Sequence, residues 1–164
     1  MKTGILAALA VAATLATTAG AQAQVKPYGA GFDGWTFTAT TEKSGIVNCR
    51  ATRKVGNRDD IIARRTDGHV YMSVKAEGRK GDFKGTIVNV PGKPRGMLEW
   101  TVPGGADGTR MWFIMPFVAI DHIVAAGAYQ FSLPDSEDVG TVNLGKRAKE
   151  AWARVNQCVQ ANGG

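Results

Sequence analysis

Histidine occurs only twice in the 164 residues, as does cysteine, and so small a ligand stock argues against a metal centre. A zinc site needs about four converging side chains, and His69 and His122 lie far apart in the chain. The sequence also lacks a Gly-x-Ser-x-Gly turn around any serine, so the nucleophile signature of the serine hydrolases is missing. No glycine-rich loop followed by Lys-Ser or Lys-Thr is present to cradle a nucleotide phosphate. Beyond residue 23 no stretch approaches 18 apolar residues, the length that would signal a membrane-spanning helix.

What is present begins with an N-terminal leader. Lys2 gives a short positive start, Ile5 to Leu15 is apolar and alanine-rich, and Ala21-Gln22-Ala23 has the small-x-small form of a signal peptidase site. Residues 1–23 therefore read as a cleaved signal peptide, and 24–164 as one domain exported to the periplasm or the medium. Gln24 follows the cleavage site, so no lipid-carrying cysteine is expected there. With 44% hydrophobic and 21% charged residues the chain has ordinary globular composition, outside the disordered and fibrous classes.

Cys49 and Cys158 are the only thiols, and in an oxidising compartment a lone pair is most simply a disulfide. It would close a loop of 109 residues between the first third of the domain and its last element.

From Gly34 to Val102 short β-rich runs alternate with glycine and charge. The spacing predicts strands at Trp35–Thr40, Gly45–Ala51, Asp60–Arg65, Val70–Val74, Phe83–Val90 and Met97–Val102. Thr66-Asp67-Gly68-His69 is a hairpin turn; Pro91 to Pro94 and Pro103 to Gly108 read as loops. Met111–Phe117, apolar on both faces, is a central strand, and Tyr129–Leu133 makes an eighth, while Ala119 to Ala126 fits either a short helix or a strand. Leu144, Ala148, Ala151, Trp152, Val155 and Val159 then follow helical spacing, which predicts a helix over about 144–160 with Asn143 as its N-cap and Cys158 turned toward the sheet. The expected fold is mainly β: an antiparallel β-sandwich or flattened barrel of about 7–8 strands with one C-terminal helix.

Gly34-Trp35 at the first strand, Cys49-x-Ala51 in the second, and Leu144-Gly145-x-x-Ala148 leading a helix that carries Cys158 together resemble the invasion-associated locus B family, small secreted bacterial β-proteins. The resemblance runs from about Gly34 to Val159. It implies a periplasmic or surface-associated protein and carries over no catalytic residue.

Charge is unevenly placed. Between Lys43 and Arg95 there are 13 basic residues against 5 acidic, whereas from Gly96 onward there are 5 against 7. A basic half favours an anionic partner, such as lipopolysaccharide phosphates, lipid headgroups or an acidic protein. Arg53-Lys54 and Arg79-Lys80 would share one end of the sheet, and Arg64-Arg65 with Lys93 and Arg95 the other. Interleaved aromatics for base stacking are missing there, so nucleic acid ranks below lipid or protein. Met97, Met111 and Met115 with Trp100 and Trp112 read as core filling rather than a copper site. Asp121-His122 is the one adjacent acid–base pair, and a hydrolase reading would rest on it alone. A further reading is an inhibitor that plugs a lytic enzyme or protease with Gly92 to Gly96 or Pro103 to Gly108. The leading expectation is a binding protein of the cell envelope that performs no chemistry and needs no cofactor.

Overall fold

The computed structural model describes residues 23–89, 99–133 and 136–164. The leader, Lys93, Arg95 and the Gly92 to Gly96 loop fall outside the described residues.

Ten strands run in chain order as β1 (Gln24–Pro27), β2 (Trp35–Thr41), β3 (Val47–Val55), β4 (Arg58–Arg65), β5 (Val70–Lys75), β6 (Lys80–Asn89), β7 (Trp100–Asp107), β8 (Arg110–Met115), β9 (Ala128–Leu133) and β10 (Ser136–Asn143). Helix α1 (Phe117–Ala126) precedes β9 and α2 (Ala148–Ala161) follows β10. All strands join one antiparallel sheet in the order β1-β2-β3-β4-β5-β8-β7-β6-β9-β10, with β1 and β10 as edges. The fold is thus mainly β with a C-terminal helix, but it has ten strands rather than 7–8, and one continuous open sheet stands in place of two stacked ones.

The sheet bends back on itself around its apolar face. Phe113 of β8 and Phe131 of β9, on strands that are not neighbours, have ring centroids 5.1 Å apart. Arg53 of β3 donates from Nη1 to the Asn143 carbonyl of β10 at 2.8 Å, so a side chain closes the bend where no backbone ladder does. The concave face carries every second residue of each strand, among them Phe37, Cys49, Ala51, Ile62, Met72, Val102 and Phe113, and these form the core with α1 and α2. Helix α2 lies across β2, β3 and β4 with Trp152, Val155 and Cys158 buried, and the expected Cys49–Cys158 disulfide is present with Cα atoms 6.0 Å apart.

Three expectations are corrected. Pro103 to Gly108 is no free loop, because its residues to Asp107 belong to β7. A Cβ at Gly104 would stand 2.6 Å from the Phe83 ring and from the Trp112 carbonyl, so the strand needs glycine there to admit that ring. Pro103 precedes the Gly104–Ala106 segment that pairs with β8, and its missing N–H costs that ladder nothing. Strand β8 stops at Met115, and Phe117 already belongs to α1, which also settles Ala119 to Ala126 as helical. Helix α2 starts at Ala148 rather than 144; Asn143 caps a turn before it, its Oδ1 accepting the Gly145 N–H at 2.9 Å.

One end of the core is polar. Asp60, 1% exposed, lies beside the fully buried Tyr129, with Arg58 Nη2 3.3 Å from Oδ2 and no partner for Oδ1. Burial pushes the Asp60 carboxyl above its ordinary 3.8, against the pull of Arg58. The folded state therefore holds this proton more tightly than the unfolded chain does. Stability from this group is present below 3.8 and is lost as pH rises through the folded value. Asp60→Asn is expected to raise the melting temperature by a few degrees at neutral pH and to give a gain that shrinks toward pH 4; thermal melts across that range check the slope, and a constant difference would contradict it.

Candidate anion-binding face

Adjacent residues of a strand point to opposite faces. This divides Arg53 from Lys54 and Arg64 from Arg65. Arg53 and Arg64 turn to the concave side, where Arg53 holds Asn143 and Arg64 Nη1 donates to Asn156 Oδ1 of α2 at 2.7 Å while lying over the Phe117 ring. Arg79 stacks on Phe83, 5.9 Å from the ring centroid. Their neighbours Lys54, Arg65 and Lys80 stand on the convex side. Arg53 and Arg64 thus serve as internal fastenings rather than as surface ligands.

The convex face is built in cross-strand rows. Arg50, Ala63, Tyr71 and Ile114 form one row, and Thr52, Ile61, Ser73, Trp112, Gly105 and Asp82 the next. Ala63 and Ser73 are completely buried although neither helix packs on this side. Long side chains cover them instead. Arg110 donates from Nε to Ser73 Oγ at 2.9 Å, is paired with Asp59 Oδ1 at 2.9 Å, and lies 5.9 Å from the Trp112 ring centroid. Arg50 reaches across β4 and β5 to lie 5.2 Å over the same ring. Arg65 is held by Asp67 at 2.8 Å and Glu42 at 3.5 Å.

Arg50 differs from its neighbours in one respect. The Nε atoms of Arg50, Arg53, Arg64 and Arg65 are all buried without an acceptor. The other three place an Nη on an acceptor, whereas among the described residues Arg50 makes no hydrogen bond and lies over the Trp112 ring. Burial and the nearby Arg110 charge push its guanidinium below its ordinary value, opposed by Glu42. A half-covered cation that makes no hydrogen bond is a ready partner for an incoming oxyanion.

Two depressions flank this cluster. One of about 310 Å³ is lined by Lys54, Asn57, Arg58, Asp59 and Lys75 at the β3–β4 hairpin end. The other, an open groove of about 570 Å³, runs past Asp82, Lys84, Pro103 and Ile114 with Phe83 and Gly104 between them. The two lie on the same convex face, where Asp59 and Asp82 stand among the cations.

Asp121 and His122 lie on α1. Asp121 Oδ1 accepts the Trp152 indole N–H at 3.0 Å, which ties α1 to α2. His69 Nδ1 lies 3.1 Å from Asp67 in the β4–β5 turn. Among the described residues no group of three or more His, Cys, Asp or Glu converges as a metal site would require, and no helix is long and apolar enough to cross a membrane.

The sequence reading missed Arg50, Tyr71 and Trp112. The available signal was the parity of strand β3, which sets Arg50 on the same side as Lys54. Comparison with known proteins returns no matching family model, no matching curated protein and no matching solved structure, so the fold and the geometry of this face are the ground on which a function can be argued.

Proposed function

We propose that this is a non-catalytic binding protein of the bacterial cell envelope, exported by its cleaved leader, whose convex sheet face engages an anionic envelope component. The observation that carries the reading is the Arg50 guanidinium, which makes no hydrogen bond among the described residues and lies on a face that also displays Lys54, Lys75 and Lys80. The signal sequence, the disulfide and the resemblance to the invasion-associated locus B family support the extracytoplasmic setting. An inhibitory loop at Pro103 to Gly108 loses its basis, since that segment is a paired strand.

Binding of this kind is electrostatic at its periphery and weakens as salt shortens the screening length. The mature protein should be retained on vesicles containing phosphatidylglycerol at low salt and released as salt rises. Lys54→Glu and Lys80→Glu, both exposed, should each weaken retention at least about tenfold, since a surface cation near an anionic membrane contributes roughly 1 kcal/mol and reversal counts twice. Retention that ignores both substitutions and salt would refute the reading.

A further inference from the structure

The groove and the unpaired guanidinium are neighbours. Ile114 lines the groove, and Trp112, two residues back on the same strand and the same face, carries Arg50 over its ring. The groove runs across β7 between Lys84 on β6 and Ile114 on β8. With strands about 4.8 Å apart its floor is roughly 10 Å wide from β6 to β8. Its apolar walls are the Pro103 ring, the Ile114 side chain at 37% exposure and the methylenes of Lys84, and the Asp82 carboxylate also lines it. Gly105 contributes no side chain to the row between Asp82 and Trp112, and the Asp82 carboxylate leans over it, with Oδ1 3.3 Å from where a Cβ would stand.

We infer that this face binds single molecules of an anionic lipid, the acyl chain lying in the groove past Pro103 and Ile114 and the phosphate or carboxylate head resting on Arg50. The inference rests on the proposed function and narrows it from an anionic surface to one lipid molecule. The chemistry of the two parts selects this occupant. A guanidinium fork without an acceptor matches a two-oxygen head group, as a lysine would not. A sugar polyanion or an acidic peptide would satisfy Arg50 and leave the Ile114 wall in water, and a neutral lipid would do the reverse.

The test uses dodecyl phosphate below its micelle concentration, with inorganic phosphate and dodecyltrimethylammonium as companions, measured by calorimetry on the mature protein. Dodecyl phosphate is expected to bind at least tenfold tighter than phosphate, with affinity rising with chain length, and the ammonium amphiphile much more weakly. Arg50→Gln should lower dodecyl phosphate affinity about tenfold, the loss of one charge-assisted pair, with Arg50→Lys recovering only part. Ile114→Ser should abolish the chain-length dependence of binding. Independently of any variant, hydrogen exchange on the native sequence should show added protection at residues 104–105 and 112–114 when dodecyl phosphate is added.

Equal affinity for phosphate and dodecyl phosphate, equal binding of the cationic amphiphile, or protection elsewhere on the chain would overturn the inference. If vesicle retention persists under any of these results, the anionic-surface reading survives and only the lipid site fails. If vesicles are not retained either, both readings fall.

Discussion

Replacing Cys49 and Cys158 by serine is expected to lower the free energy of unfolding by about 4–5 kcal/mol, the chain-entropy value for releasing a loop of about 100 residues. The bridge here spans 109 residues, and both sulfurs belong to residues buried at the seam where β3 meets α2. Set against a total of about 5–15 kcal/mol for an ordinary domain, the loss is large enough that the variant should be partly unfolded at physiological temperature. Urea unfolding of the double variant and of the reduced native protein should give the same lowered midpoint, since both remove one covalent link and little else. A change below about 1 kcal/mol would mean that the packing of Trp152, Val155 and Val159 holds α2 without help.

Phe113→Ala should cost about 3–5 kcal/mol, the range for emptying a large aromatic from a sealed core. Phe113 is completely buried and meets Phe83 at 5.5 Å and Phe131 at 5.1 Å, so it stands where the bent sheet closes on itself. Gly85, on β6, also depends on it: a Cβ at that position would lie 2.8 Å from the Phe113 ring. Removing the ring would leave a void that glycine cannot fill from its side, and thermal melts would register the deficit. Phe113→Leu should retain most of the stability, because volume rather than aromaticity does the filling. A loss of less than about 1 kcal/mol in the alanine variant would show that the far limb of the sheet, β6-β9-β10, does not depend on this contact.

The strands that were legible in the sequence are those with one face in the core. Trp35 to Thr40, Val70 to Val74 and Tyr129 to Leu133 alternate, and alternation is visible without knowing the partner. Strand β1 was missed because all four of its residues are exposed, so no apolar period marks it, and it ends on proline. The glycines of β7 read as a loop for a reason that lies outside the local sequence: the Phe83 ring occupies the place of a side chain at 104, and only the pairing of β6 with β7 puts it there. Helix α1, apolar around most of its circumference, offers no period to distinguish it from a buried strand.

The basic half of the chain was visible, but its division was not drawn from the same period-2 rule that identified the strands. Applied to Arg53-Lys54 and Arg64-Arg65, that rule sends one member of each pair inward, as the bonds to Asn143 and Asn156 bear out. Arg50 could have been placed on the convex side by parity. Its meeting with Trp112 could not, since β5 pairs with β8 rather than with its successor β6, and that order is a long-range property of the chain.

The position of α2 after every strand in the chain has a consequence for the order in which the fold is completed. Its buried side chains seal the concave surface of β2, β3 and β4, and one of them supplies the second sulfur. A polypeptide that emerges N-terminus first has presented those strands before their cover. It therefore cannot lock prematurely. Completion waits for the final turns to emerge, and only then can the cross-link form.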